Sequence, residues 1–127
     1  MTISAHADMQ YYMKATAHIF KALSEPVRLR ILALLIGGER CVCDLMEVLD
    51  LPQSTVSRHL ATLRNAGWVE GERKGQWMYY RLAGNGCGLL QDLLPVLERQ
   101  LKKLPEMTHD QDRLREYLST KKSSACE

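Results

Sequence analysis

The chain has 127 residues, 46% of them hydrophobic and 25% charged, and a formal net charge of +2. These values are ordinary for one globular domain, 1–127, and the charge is too small to identify a nucleic-acid binder. No run approaches the ~20 apolar residues that span a bilayer, and residues 1–10 do not resemble a secretory signal. We therefore expect a cytoplasmic protein with no membrane partner, whose cysteines are reduced and available as metal ligands.

The first two predicted helices precede a glycine pair, Gly37 and Gly38. Apolar side chains recur at helical spacing in residues 8–22, which predicts an amphipathic first helix. The run Ser24-Glu25-Pro26 is a helix-start signal, since proline is tolerated in the first turn. An apolar stripe follows it as far as the glycines, which end the second helix.

Two short helices separated by a tight break are predicted in residues 41–66. The third helix runs from about 41 to 50, and Pro52 ends it. The fourth, about 52–66, has an apolar stripe, ends at Gly67 and lacks a good side-chain cap at its start. The other face of the fourth helix is polar and carries Gln53, Ser54, Thr55, Ser57, Arg58 and His59.

The remaining elements are a β-hairpin and further helices. Residues 68–82 are rich in β-favouring side chains around a Lys-Gly turn, and Arg73 and Lys74 lie at the predicted tip. A leucine stripe predicts a helix over 88–104. Pro95 interrupts this stripe, so the helix either starts near Leu94 or is kinked there. We expect a short last helix around 109–118 and a flexible tail over 119–127.

This order of elements predicts a mainly α fold with a β-hairpin wing, the winged helix-turn-helix. In such motifs the second helix of the pair lies in the major groove with its N-terminal side chains on base edges. The polar face of the fourth helix suits that role, and the hairpin tip can reach backbone phosphates or a minor groove. The predicted partner is therefore double-stranded operator DNA.

Three segments resemble the ArsR/SmtB family of metalloregulators. Residues 23–32 resemble the entry to that family's second helix, and residues 54–60 resemble its recognition helix. Residues 67–73 and 76–82 resemble the two strands of its wing. The resemblance covers roughly 12–104. It implies a transcriptional repressor that binds an inverted repeat as a homodimer, built from helices 8–22 and 88–104.

Residues 40–45, RCVCDL, resemble the thiol motif of arsenite- and heavy-metal-responsive members of this family. Soft thiolates prefer soft ions and trivalent arsenic to Mg²⁺ or Ca²⁺. Both thiols lie at a predicted helix start beside Arg40, so we expect lowered cysteine pKa values. The implied inducer is As(III) or Sb(III), as arsenite, antimonite or an organoarsenical, at Cys41 and Cys43, with no constitutive cofactor.

The spacing of the two cysteines suggests how ion binding could oppose DNA binding. Residues i and i+2 do not face each other on a regular helix, so one ion can bridge both thiols only if the first turn distorts. That distortion would misplace the fourth helix and oppose DNA binding.

The sequence does not identify a third ligand for the ion bound by Cys41 and Cys43. In a well-known subgroup another cysteine stands three positions after the second, but here that residue is Met46, which fits the core stripe. A third thiolate could come from Cys87 or Cys126, or two could suffice for a monomethylated trivalent arsenical.

Three alternatives to arsenic sensing follow from the same residues. Cys41 and Cys43 could form a redox switch. A cadmium- or lead-sensing repressor is a further alternative, weakened because the first forty residues contain no cysteine. An enzyme is disfavoured because the spacing is C-x-C rather than C-x-x-C and no phosphate-binding glycine loop is present.

Overall fold

The structure is a computed structural model that describes residues 5–84 and 88–121. The described elements are α1 (Ala5–Lys21), α2 (Pro26–Ile36), β1 (Arg40–Cys41), α3 (Val42–Leu49), α4 (Gln53–Asn65), β2 (Val69–Lys74), β3 (Trp77–Leu82), α5 (Gly88–Leu101) and α6 (Pro105–Thr120). No helix in this part of the chain combines the length and the apolar character needed to cross a membrane.

The ends of the first helices follow the sequence signals. Glu25 caps α2, and its carboxylate accepts the Arg28 backbone N–H at 3.1 Å. Pro52 precedes α4 and provides no side-chain cap, as predicted. Asp50 ends α3 in the left-handed conformation at φ 55°, which lets the chain turn sharply into α4.

The wing belongs to a three-stranded antiparallel sheet of order β1-β3-β2. The hairpin β2–β3 forms as predicted, and Gly75 takes a positive φ of 66° in its turn. The strand β1 was not predicted, because two residues are too short to show a strand period. It pairs Cys41 with Tyr79 of β3, so the segment before α3 is joined to the wing.

The core lies between α2, α3, α4 and the sheet. Val56, Leu60 and Leu63 of α4 are fully buried, which turns the opposite face of that helix outward. Trp68 is also buried, and its indole N–H donates to the Ile19 carbonyl at 3.0 Å, which joins α1 to the start of the wing. Burial of this stripe therefore determines the orientation of α4.

The C-terminal helices differ from the prediction. Pro95 lies inside α5, so the helix does not start near Leu94, and α5 ends at Leu101 because Pro105 opens another helix. That last helix, α6, is longer than the predicted 109–118, and it includes residues 119 and 120, which we had assigned to a flexible tail. The rest of the predicted tail, 122–127, lies outside the described residues.

A buried ion pair holds α6 against α2. The Arg30 guanidinium donates to both carboxylate oxygens of Asp110 at 2.8 Å each. The Asp110 side chain is 1% exposed and that of Arg30 31%. Because an unpaired buried charge is costly, this contact fixes the position of α6.

Candidate functional site

The polar face of α4 divides into exposed and half-buried side chains. Gln53, Ser54 and Arg58 are exposed, whereas Thr55 and Ser57 are half-buried. All five were predicted to face DNA, and the structure places the first three where a large ligand can reach them without rearrangement.

His59 is placed differently from the other five. Its ring packs against the start of α2, with Nδ1 3.3 Å from the Arg28 guanidinium and 3.9 Å from the Glu25 carboxylate. Burial lowers the pKa of His59, the positive charges of Arg28 and Arg58 lower it further, and Glu25 opposes them. The side chain is 12% exposed, so its contacts are to the protein.

A groove of about 270 Å³ separates the start of α4 from the wing. Gln53 and Ser57 line its helical side, and Arg73, Gln76 and Trp77 line its wing side. The groove therefore brings predicted contact residues of both elements to one surface, and it adds Gln76, which had not been predicted.

The two cations of the wing tip have different surroundings. Lys74 Nζ lies 2.6 Å from a carboxylate oxygen of Glu39, and that hydrogen bond raises the pKa of Lys74. Arg73 donates to the Gln76 carbonyl at 3.5 Å and forms no ion pair with any described carboxylate. Arg73 therefore presents an uncompensated charge, whereas the charge of Lys74 is compensated.

The two motif cysteines meet at the N-terminus of α3. Cys41 is the N-cap, with extended backbone at φ −69° and ψ 149°, and Cys43 lies in the first turn. Their sulfur atoms are 2.8 Å apart, and the Cys43 backbone N–H points at the Cys41 sulfur at 3.4 Å.

This geometry corrects one premise of the sequence analysis. We expected two thiols at this spacing to meet only if the first turn of the helix distorted. Because Cys41 lies outside the helix in extended conformation, its side chain folds back over the first turn. The sulfurs therefore meet while the turn stays regular.

The cap of α3 is completed by Asp44, which is buried. Its carboxylate accepts the Cys41 backbone N–H at 2.9 Å, which forms a capping box. It also accepts the Lys121 ammonium at 2.5 Å, and that ammonium lies 3.7 Å from the Cys43 sulfur. Burial lowers the pKa of Lys121, but the hydrogen bond and charge of Asp44 outweigh burial and raise it.

The expectation of a lowered cysteine pKa is wrong for Cys41. Burial raises the pKa of its thiol, the Asp44 charge raises it further, and backbone N–H groups and Lys121 oppose these effects only in part. Arg40 donates instead to the Leu34 carbonyl at 3.2 Å, at the end of α2. Cys41 is therefore favoured as a neutral thiol.

Comparison with known proteins bears on both sites. The model of the family described as "Bacterial regulatory protein, arsR family" matches residues 25–70, which include α3, α4 and both motif cysteines. The arsenic resistance transcriptional regulator ArsR2 of Pseudomonas putida is 49% identical over 79 residues, 61% of this chain and 69% of the relative. The chain belongs to the ArsR family.

Two further matches show how much of this ArsR-family chain is similar to known proteins, one in sequence and one in structure. The regulator ArsR1 of Pseudomonas putida is 51% identical over 65 residues, which span half of each chain. A homodimeric winged helix-turn-helix DNA-binding domain of Mycobacterium bovis, solved by NMR, has a TM-score of 0.66 and 30% identity, covering 80% of this chain and 89% of that one. The winged helix-turn-helix prediction is confirmed: this ArsR-family chain shares its fold with a DNA-binding domain.

Within this ArsR-family chain, the third ligand of the thiol site stays a prediction. Cys87 and Cys126 both lie outside the described residues. In the described ranges, 5–84 and 88–121, no group of three His, Cys, Asp or Glu side chains is placed to hold a metal ion. Met46 packs against the hydrophobic core, as its position in the apolar stripe predicted.

Two residues beside the thiols were missed by the sequence analysis. Asp44 follows Cys41 by three positions, which is the spacing of a capping box, but cysteine is not a usual N-cap and the signal is weak. Lys121 lies 77 positions from Asp44 and has no local signal. In this regulator only the docking of α6 brings it to the site.

Proposed function

We propose that this chain is a homodimeric repressor that binds operator DNA and leaves it when trivalent arsenic or antimony bonds to Cys41 and Cys43. The observation that carries the proposal is the 2.8 Å contact between the two sulfurs, at the start of the helix that precedes α4. Thiolates select soft centres, and two relatives in Pseudomonas putida are named arsenic resistance regulators.

The DNA-binding part of the proposal rests on α4 and the wing. Gln53, Ser54 and Arg58 are exposed at the N-terminal part of α4, the part that meets base edges in helix-turn-helix proteins. Thr55 and Ser57 flank them and can contact the sugar-phosphate backbone. Arg73 at the wing tip then contacts a phosphate or a minor groove.

The wing cations give a matched test of this assignment. Arg73→Ala is expected to weaken operator binding and to reduce the slope of log K against log salt by about 1, because one phosphate contact is lost. Lys74→Ala is expected to change that slope less, since Glu39 already compensates its charge. Fluorescence anisotropy at several salt concentrations measures both slopes.

An Arg73→Lys variant is the control for that experiment, since it keeps the charge and should retain most of the slope. Equal slopes for the Arg73→Ala and Lys74→Ala variants would contradict the assignment of Arg73 as the phosphate contact of the wing.

The dimer is supported by apolar side chains that the single chain leaves exposed. Tyr11, Tyr12, Met13 and Phe20 of α1 are between 48% and 71% exposed, and Val96 of α5 is 42% exposed. Monomeric proteins rarely expose such clusters, which mark interaction sites. The Mycobacterium bovis domain of the same fold is homodimeric, so we assign these faces to the subunit interface.

The thiol site can control DNA binding because Cys41 belongs to two elements. Its backbone pairs with Tyr79 of the wing, and its sulfur and N–H cap α3, which packs on α4. Two sulfurs bonded to the same pyramidal trivalent centre lie farther apart than the 2.8 Å that separates them here. Binding the ion therefore separates the sulfurs, shifts the cap and changes the position of α4 relative to the wing.

The buried, neutral thiol of Cys41 is compatible with this chemistry. Arsenite in water is arsenous acid, with three As–OH groups. Each thiol that replaces a hydroxyl forms one As–S bond and breaks one As–O bond, and its proton leaves with the hydroxyl as water. The net reaction therefore does not require the cysteine to be ionised beforehand. A simple divalent cation binds the thiolate, so the thiol proton would have to be released to solution.

The proposal is tested by titrating the reduced protein, bound to a labelled fragment of its own promoter, with arsenite. We expect DNA affinity to fall between about 5-fold and 150-fold, the usual range of such coupling. Release by an oxidant without arsenite would support the redox switch instead, and release by Cd²⁺ or Pb²⁺ alone the heavy-metal sensor. Full DNA binding with arsenite bound would refute the coupling.

A further inference from the structure

The groove between α4 and the wing is lined by groups that can donate hydrogen bonds. Gln53 and Ser57 contribute an amide and a hydroxyl from α4, and Arg73 contributes its guanidinium from the wing. Among the described residues that line the groove, none is aspartate or glutamate. Because its polar groups include a cation and no carboxylate, the groove is suited to an anion.

Trp77 adds to this groove a buried donor that has no partner among the described residues. It is the first residue of β3, and it lines the groove. Its indole Nε1 is buried and forms no hydrogen bond within the part of the chain that the structure describes. The indole of Trp68, by contrast, donates to the Ile19 carbonyl. A buried N–H without a partner costs free energy, and an acceptor that enters the groove beside Trp77 removes that cost.

The first turn of α4 favours an anion at the same place. Pro52 precedes the helix and provides no side-chain cap, and the first turn contains no acidic residue. The first backbone N–H groups of a helix have no intrahelical acceptor, and the helix dipole makes that end positive. Gln53 both begins α4 and lines the groove, so the helix start borders the groove. An anion there is therefore stabilised by the helix as well as by Arg73.

The phosphate backbone of DNA is the anion that fits this position. In a winged helix-turn-helix the second helix of the pair lies in the major groove of DNA, and the wing reaches a phosphate or the neighbouring minor groove. The sugar-phosphate strand that separates those two DNA grooves then passes between α4 and the wing. The groove of the protein measures about 270 Å³, several times the ~30 Å³ of one water molecule, so a phosphodiester group fits in it.

We propose that the groove between α4 and the wing holds one phosphate of the operator backbone, and that Trp77 donates its indole N–H to that phosphate beside Ser57 and Arg73. This inference rests on the DNA-binding half of the proposed function and does not depend on the inducer. It makes Trp77 a DNA-binding residue that reads no base but fixes α4 and the wing on the same strand of the backbone.

The first test is Trp77→Phe, which removes the N–H and keeps an aromatic ring. Anisotropy of the full-length reduced protein on its labelled promoter fragment, without arsenite, should show an affinity about tenfold lower, because a hydrogen bond to a charged group is lost. The slope of log K against log salt should stay at the wild-type value, because the indole carries no charge. If Trp77 only supported the wing, its replacement would displace Arg73 and reduce that slope as well.

The second test changes the DNA instead of the protein. Promoter fragments in which one phosphate at a time is replaced by a neutral methylphosphonate locate the contact. At one phosphate the wild type should lose about tenfold in affinity or more, whereas Trp77→Phe should lose less, because both changes remove the same hydrogen bond. Ser57→Ala should show its reduced loss at that same phosphate. Tyr79→Phe, also on β3 but outside the groove, is the control and should lose as much as the wild type.

Wild-type affinity in Trp77→Phe would overturn the proposal, and so would a reduced salt slope in that variant. Equal losses for the wild type and the variants at every substituted phosphate would also overturn it, and Ser57→Ala keeps this measurement decisive if Trp77→Phe does not fold. A wild type that does not bind its promoter would refute the proposed function and this inference together. DNA binding that persists with arsenite bound would refute only the proposed release.

Discussion

Replacing Cys41 and Cys43 together by serine is expected to abolish the release of operator DNA by arsenite. Serine is a preferred N-cap residue, so the hydroxyl at position 41 can accept the hydrogen bond from the backbone N–H of residue 43, which the Cys41 sulfur accepts in the wild type. The α3 start should therefore keep its structure while losing both soft ligands. Anisotropy should show wild-type operator affinity without arsenite and no decrease with it, against a decrease of about 5-fold to 150-fold in the wild type.

Met46→Leu is the matched control for the double variant. Leucine has nearly the volume of methionine and suits the core that Met46 packs against, so the fold should tolerate it. The arsenite response should persist, because the thioether is not assigned as a ligand. A double serine variant that still released DNA at wild-type arsenite concentrations would show that the inducer binds elsewhere.

Arg30→Met is expected to have the largest effect on stability, a loss of about 3 kcal/mol in the free energy of unfolding. It leaves the carboxylate of Asp110, which is 1% exposed, without its bidentate partner. Asp110→Leu should cost less, because the Arg30 side chain is 31% exposed and can reach water. Urea unfolding followed by circular dichroism measures these differences.

The double variant Arg30→Met with Asp110→Leu completes that experiment. Replacing both partners of a buried ion pair by apolar residues is often close to neutral, so stability should recover most of the loss. Additive losses in the double variant would mean that the two side chains act independently.

Much of the fold follows from local sequence signals. The buried stripe of Val56, Leu60 and Leu63 determines which face of α4 is polar, and Gly75 permits the wing turn. These features depend on residues that are close together in the chain, where periodicity and turn chemistry act directly. The order helix, break, helix and hairpin was therefore sufficient to predict a winged helix-turn-helix.

The details of the thiol site depend on contacts that no local signal contains. Cys41 takes extended backbone because β1 pairs with β3, and this pairing, absent from the prediction, brings the two sulfurs together without distorting α3. Its pKa is raised rather than lowered because burial outweighs the helix terminus, and burial is a property of the packed core.

The sequence by itself determined the winged helix, its polar recognition face and the pair of cysteines before α4. Only the tertiary structure decided that His59 packs on α2, that Lys74 is neutralised by Glu39, and that Lys121 joins Asp44 across 77 positions. The physical reason is that a side chain's charge and exposure depend on which elements pack against it. Helical and strand periods describe one element at a time, and they carry no information about its neighbours in space.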